Sequence, residues 1–424
     1  MLAFLGLAMV ATFMALIMTK RLLPLVALTL VPLGYGILAA LLGYFPIAKL
    51  GPMMLEDLKT LAPTGVMLLF AILYFALMID TGLFEGVVAW ILRRVKGDPL
   101  KVALGTVALT LVVSLDGDGS TTYMICVAAL LPLYQRLGMN TRLMTCLMLL
   151  SSAVMNLTPW GGPTARAASA LHVDPSAVFV PMIPAMLCGI AAIFILAWVY
   201  GRRERERLGI IELPEQRMEG IQPRLLWFNG LLTVALMTCL ILAILPMPVL
   251  FMAAFGIALS VNYPALSPQK ERIAAHAESV LAVVSLIFAA GIFTGILSGS
   301  GMVEALSKSL IAFIPEALGP HLAVITALLS LPFTFFLSND AFYFGMLPVL
   351  AEAAGHYGIS PVALARASLV GQPVHLLSPL VPSTYLLVGL AKVELGDHQR
   401  FTLRWAVLVA LAMLLGALVT ATFP

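Results

Sequence analysis

Two aspartates stand two residues apart in SLDGDGSTTY, Asp116 and Asp118, each followed by a glycine, inside a stretch otherwise built of apolar residues. A carboxylate at membrane depth costs at least about 2.5 kcal/mol, so it marks a functional site by default. Two this close repel one another when both are ionised, which raises one pKa and suits the pair to carrying a proton or holding a cation. The other reading is an ordinary turn that reaches the surface and leaves both carboxylates solvated. A second polar interruption, Asn339 and Asp340 in FFLSNDAFY, lies in an equally apolar setting. Asn156 and His375 stand just before Thr-Pro and Ser-Pro in two further apolar stretches, and Arg166 follows the first of these in GGPTARAAS. The forked guanidinium of Arg166 matches a carboxylate bidentately. His375 has a side chain that titrates near neutrality, or serves as a packed, hydrogen-bonded histidine. Asn156 and Gln372 offer carbonyl oxygens to a cation, or cap broken helix ends.

These residues fall into a pattern because the chain repeats itself. LLSSAVMNLTPWGGPT (149–164) aligns with LVGQPVHLLSPLVPST (369–384) at an offset of about 220 residues. At the same offset GSTTY (119–123) falls on NDAFY (339–343), and LGMN (137–140) on YGIS (357–360). Each copy therefore has a polar tip followed by a helix broken at proline. Paired broken helices in corresponding positions of two halves point to a transporter site near the bilayer midplane. Non-helical backbone at that depth is tolerated only inside protein or beside a water-filled cavity, so Gly117, Gly119, Pro159, Gly161, Gly162, Pro163, Pro379 and Pro382 are expected to face away from lipid. Helix N-termini at the breaks offer N–H groups to anions.

Composition sets the environment. Apolar residues make up 61% and charged residues 11%, against roughly a quarter charged in soluble domains, and mean hydropathy is +1.03. The chain reads as an all-α polytopic membrane protein with about eleven apolar runs near the roughly 20 residues needed to span a bilayer. Its first run, Leu2–Thr19, lacks a small-residue cleavage site and is expected to be a retained helix. Lys20/Arg21, Arg93–Lys101, Arg136/Arg142, Arg202–Arg224, Lys270/Arg272 and Lys392–Arg404 all share one side if the N-terminus is outside. Positive residues mark the cytoplasmic side, so Gly201–Arg224 is expected to be a cytoplasmic linker, and Lys49, Lys59 and Lys308 to lie in opposite loops. The net charge of +3 follows from these loops and calls for no nucleic-acid partner. Cys126, Cys146, Cys188 and Cys239 stand singly in apolar runs with no disulfide or zinc spacing.

The expected organisation is 1–62, scaffold helices; 63–200, a first repeat with its hairpin tip at 115–121 and helix break at 156–164; 201–224, linker; 225–274, scaffold helices; 275–392, a second repeat, inverted against the first, with tip 337–341 and break 376–384; and 393–424, a last helix.

On DGDGSTTY, NLTPWGGPTARAASAL, LSNDAFYFG and GQPVHLLSPLVPSTYLLVGL, the chain closely resembles the citrate–divalent metal:proton symporters (CitMHS) of the ion transporter superfamily, over essentially its whole length. It also resembles, distantly, the sodium-coupled dicarboxylate transporters, whose hairpins carry Ser-Asn-Thr motifs. The first tip here departs from that motif, which favours protons or a metal over sodium. The resemblance implies uptake of citrate complexed with a divalent cation, magnesium or calcium, coupled to protons. It further implies two inverted repeats, an elevator-type movement, a homodimer and a place in the inner (plasma) membrane, surrounded by lipid. Carried onto this chain, it assigns Ser120, Thr121, Thr158, Gly161, Gly162, Arg166, Ser338, Ser378, Ser383 and Thr384 to substrate. Asp116, Asp118, Asn156, Asn339, Asp340 and His375 then serve proton or cation coupling, with Asp116 and Asp118 as candidate metal ligands. No resident cofactor is expected.

Other classes remain open at this stage. An intramembrane aspartyl protease uses two carboxylates sharing a proton, but needs them on facing helices and gives no reason for duplicating a hairpin and a break. A passive channel has no use for two broken helices. Within transport, another di- or tricarboxylate without metal fits the same residue types, and Trp160 either stacks on a substrate ring or anchors its loop.

Overall fold

The computed structural model describes residues 1–95, 97–117, 119–210, 225–242, 244–312 and 315–424, and among these it is helical with no strand. Helix starts are set by proline and short polar caps. The first helices are α1 (Leu2–Met18), α2 (Pro24–Leu41), α3 (Leu50–Asp80) and α4 (Leu83–Val95). α3 begins well before residue 63, so Lys59 lies within a helix and the boundary at 62/63 cuts through one. Pro63 sits inside it without ending it, as neighbouring helices in a membrane can compensate a lost hydrogen bond.

The first tip joins α5 (Pro99–Val113) to α6 (Gly119–Leu137), and the first break separates α7 (Thr141–Met155) from α8 (Gly162–Ala170). Asp98 caps α5, accepting from the Leu100 N–H at 3.0 Å, and Asn140 caps α7, accepting from the Arg142 N–H at 2.9 Å. α9 (Pro175–Phe179) leads into α10 (Ile183–Leu208), which runs through Gly201 and takes up the start of the expected linker. The rest of that linker, 211–224, lies outside the described residues. α11 (Leu226–Ile241), α12 (Met247–Asn262) and α13 (Leu266–Ala275) follow, the last spanning the expected boundary at 274/275.

The second half begins with α14 (Ala277–Gly299) and α15 (Met302–Ile311), and α16 (Leu322–Phe336) leads to the second tip. Beyond that tip the backbone forms a π-helix over Ala341–Met346 before α17 (Leu347–Gly355). The second broken helix is more divided than its counterpart: α18 (Pro361–Ser368), a 3-10 turn, α19 (Gln372–His375), then after the break α20 (Pro382–Ala391). α21 (Leu395–Val419) closes the chain.

Seven described segments are long and apolar enough to cross a membrane, with six shorter apolar helices of 10–17 residues beside them. Large side chains such as Leu7, Leu30, Ile195, Leu231 and Leu415 face outward, the surface that a bilayer covers. Inside, α3 lies along α14. Gly291, Gly295 and Gly299 make the close approach possible: a Cβ on Gly295 would stand 2.7 Å from the Met53 carbonyl oxygen. Small residues spaced by four are the usual means of such approach in membranes. α10 packs on α5 and α21, and the tips and broken helices fill the space around them. Cys126 and Cys146 are buried, Cys188 is exposed, and all four cysteines are free thiols.

Candidate functional site

At the first tip, a 3-10 turn over Ser114–Asp116 ends α5, and Gly117 takes the left-handed conformation (φ +75°) that disfavours any side chain. Asp116 is buried at 8% exposure, and its Oδ1 accepts a hydrogen bond from Thr122 Oγ1 at 3.3 Å. Asp118, its expected partner, lies outside the described residues. Ser120 and Thr121 are half-buried in the first turn of α6.

The first break packs against this tip. Trp160 Nε1 donates to the Leu115 carbonyl at 2.8 Å, while its ring stacks on Phe75 (centroids 5.4 Å apart) and meets Phe251 edge-on at 5.1 Å. Trp160 thus anchors the loop. Gly161 is required sterically, because a Cβ there would lie 2.0 Å from the Asn156 carbonyl oxygen. Thr164 Oγ1 reaches back to the Leu157 carbonyl at 2.9 Å, satisfying a group that the break leaves without a helical partner. Thr158 Oγ1 is buried with no hydrogen-bond partner among the described residues. The half-buried Asn156 caps the C-terminal end of α7.

At the second tip, Ser338 Oγ accepts from the Ala341 N–H at 3.2 Å. Gln372 Nε2 donates to Asn339 Oδ1 at 3.2 Å and to the Tyr343 hydroxyl at 2.8 Å, and its Oε1 has no partner among the described residues. His375 is buried, and its Nδ1–H donates to the Thr334 carbonyl at 2.6 Å. At the second break, Ser378 Oγ accepts from the Leu380 N–H at 3.2 Å, Gln399 Nε2 donates to the Leu377 carbonyl at 2.8 Å, and Thr384 Oγ1 donates to the Leu376 carbonyl.

The two halves cross over. Arg166, on α8 of the first half, donates from Nε to Oδ1 of Asp340 on the second tip at 2.6 Å, and from Nη1 to the Gly162 carbonyl at 3.1 Å. In return Gly119 on the first tip lies against Ser383 of α20, where an added Cβ would be 3.3 Å from the hydroxyl. Each tip therefore meets the broken helix of the other half, and the half-buried Arg166 and the buried Asp340 form the one link of opposite charge between them among the described residues.

Not every polar residue of the second broken helix joins this junction. Arg366 holds the Ala177 and Thr422 carbonyls, Nη1 donating to the latter at 2.9 Å, a backbone clamp away from the tips. His375 stands behind the second tip. Among the described residues no three of His, Cys, Asp and Glu converge as metal ligands. Residue types alone missed Thr122, Thr334, Tyr343 and Gln399, whose parts depend on which helix faces meet. Asp57 and His172, tied at 2.8 Å, were missed as well; an aspartate inside an apolar helix was the available signal.

The citrate transporter family model matches residues 8–371. A Bacillus subtilis (strain 168) protein named citrate transporter is 57% identical over 99% of this chain and 98% of its own length. Another from the same organism, named Mg(2+)/citrate complex secondary transporter, is 50% identical, with 99% of each chain covered. Among solved structures, the YdaH transporter of Alcanivorax borkumensis shares 17% identity at a TM-score of 0.57, covering 89% of this chain and 90% of that one. MtrF of Neisseria gonorrhoeae shares 15% at a TM-score of 0.59, covering 88% and 84%. These two likenesses concern the fold. Family and relatives are transporters and not enzymes, which removes the protease reading, and this chain belongs to the citrate transporter family, CitMHS.

Proposed function

We propose that this protein is a secondary active transporter that takes up citrate as a complex with a divalent cation, in symport with protons. The observation that carries this reading is the Arg166–Asp340 pair at the junction of two broken-helix units. Free citrate is a trianion at neutral pH, and a divalent metal reduces it to a monoanion. One guanidinium balances a monoanion once Asp340 carries a proton; it does not balance a trianion. The near relative named for the magnesium complex supports magnesium as the metal.

In this reading Arg166, Gly161 and Gly162 receive the cargo with Ser120, Thr121, Thr158, Ser338, Ser378, Ser383 and Thr384. Asp116, Asp118, Asn156, Asn339, Asp340 and His375 handle protons or a cation. Asp116 and Asp118 are the residues that would touch the metal if protein groups ligate it at all, since hard divalent cations prefer carboxylate oxygens and magnesium keeps several waters. The two halves are inverted repeats, with about eleven spans, and the tips and broken helices move as one bundle against the remaining helices. The protein sits in the inner (plasma) membrane as a homodimer with its N-terminus outside and the 201–224 linker in the cytoplasm. Basic residues on one side support that orientation.

Purified protein in liposomes, given an inward proton gradient and labelled citrate, tests the proposal. Accumulation that needs magnesium or calcium and collapses with a protonophore supports it. Equal uptake with a chelator present points to a metal-free carboxylate, and no citrate uptake by folded protein removes the substrate assignment.

A further inference from the structure

We infer that Asp340 is a resident competitor for the cargo carboxylate at Arg166, and that a proton reaching Asp340 frees Arg166 to bind. This deepens the symport reading and rests on it. The geometry supplies the competitor: Arg166 Nε meets Asp340 Oδ1 at 2.6 Å, with side-chain exposures of 21% and 12%. Both groups are largely withdrawn from water yet still reachable, so the pair is strong when closed and open to exchange. Arg166 engages only Nε and Nη1 among the described residues. Its outer edge and Nη2 keep donors for a second planar anion, and guanidinium forks carboxylates through two such donors. A cargo carboxylate arriving while Asp340 is ionised places two anions on one cation in a poorly screened site. A cargo carboxylate arriving after Asp340 is protonated replaces one ion pair by another and leaves the junction neutral. Binding and protonation then favour one another, as linkage requires.

The surroundings of Asp340 leave few other groups for this role. The elements packed against its π-helix are α1, α8, α14 and α17. α1 has no ionisable side chain, α8 contributes Arg166, α14 has only Glu278 in its first turn at the far end, and α17 has Glu352. His375 lies on α19, bonded to the Thr334 carbonyl, and Tyr343 lies within the π-helix, where its hydroxyl accepts from Gln372. Arg166 is thus the cation in contact. The π-helix directly after Asp340 is a backbone form that recurs at functional sites.

Calorimetric titration of the purified protein with citrate in excess magnesium, between pH 6.5 and 8.0, tests the inference. In the wild type, Kd is expected to rise about tenfold per pH unit, with net proton uptake read from buffers of different ionisation enthalpy. Asp340→Asn is expected to bind at pH 8.0 at least as tightly as the wild type does at pH 6.5, with a flat pH profile and one fewer proton taken up. A folded Asp340→Asn that binds weakly at every pH makes Asp340 a ligand and overturns the inference. An unchanged pH slope and proton count overturn it too. Should the variant not fold, infrared difference spectra of the wild type with carbon-13 citrate decide: a new protonated-carboxyl band on binding supports the exchange, and its absence refutes it. If the wild type ignores citrate but binds another carboxylate with the same slope, flattened in Asp340→Asn, the substrate reading falls and the exchange stands. If folded wild type binds no carboxylate, both fall.

Discussion

Asp57 on α3 accepts at a single oxygen from two neighbours: its Oδ2 takes the Thr294 hydroxyl of α14 at 2.6 Å and His172 Nε2 at 2.8 Å. His172 follows α8 in the left-handed conformation (φ +54°). The helix that carries Arg166 is thereby tied, at its other end, to the close-packed pair α3 and α14.

If the bundle moves against that pair, this tie opens in every cycle. Asp57→Ala leaves the buried Thr294 hydroxyl with only the Ala290 carbonyl and the exposed His172 without its partner, and is expected to cost about 0.5–1.5 kcal/mol, seen as a lower melting temperature. Asp57→Asn and His172→Gln are expected to alter the maximal uptake rate more than KM, because neither residue touches the tips. Initial-rate kinetics in proteoliposomes check this.

The two glycines of the first break are expected to respond differently. A Cβ at Gly161 meets a backbone oxygen at 2.0 Å, whereas at Gly162 it meets Arg166 Nη1 at 2.8 Å, the end of a flexible side chain. Gly161→Ala is expected to abolish folded, transport-competent protein. Gly162→Ala is expected to fold and to weaken citrate affinity by displacing Arg166. Size-exclusion profiles and citrate titration separate the two outcomes.

Trp160→Phe keeps the contact with Phe75 and Phe251 and loses the bond to Leu115. The expected cost is about 1 kcal/mol. Trp160→Ala removes the wedge between tip and break and is expected to cost about 3–5 kcal/mol. Thermal unfolding in one detergent compares them directly.

Asp98, just before the apolar part of α5, gives a pH-dependent prediction. Burial raises its carboxyl pKa, but the hydrogen bond from Arg205, the Leu100 N–H and the charges of Arg205 and Lys101 outweigh that and hold it below the ordinary range. A depressed pKa means that the ionised form is favoured by the fold. Its stabilisation is complete above the unfolded value, about 3.9, and is lost as pH falls through the lower folded value. The difference in melting temperature between wild type and Asp98→Asn is therefore expected to persist from pH 7 to about 5 and to shrink in stronger acid. Asparagine keeps the helix cap and removes the charge together with one of the two acceptors that Arg205 uses.

Much of this arrangement was legible in the sequence because proline, glycine and polar residues inside apolar runs seldom occur without a break, a turn or a binding role to require them. Thr-Pro before Trp160 and Ser-Pro before Leu380 placed both breaks, and DGDGS and LSND placed both turns. Arg166 and Asp340 were each marked as unusual, but nothing in their spacing said that they meet, since 174 residues separate them. Periodicity tells which face of a helix is apolar and is silent on which helix it faces. The length of α3 was hidden for a related reason: Glu56, Asp57, Lys59 and Pro63 lower local hydropathy and imitate a loop. Asp57 is held in the helix by partners on α14 and after α8, which only the tertiary structure supplies.

The crossing of the tips changes what a bound ligand is to this molecule. Arg166 and Asp340 belong to different halves of the chain and join them directly, and on the symport reading a cargo seated at Arg166 takes that link over. Such a ligand acts as a removable cross-link. Its binding energy goes into keeping the halves together, so saturation is expected to raise the unfolding temperature of both at once.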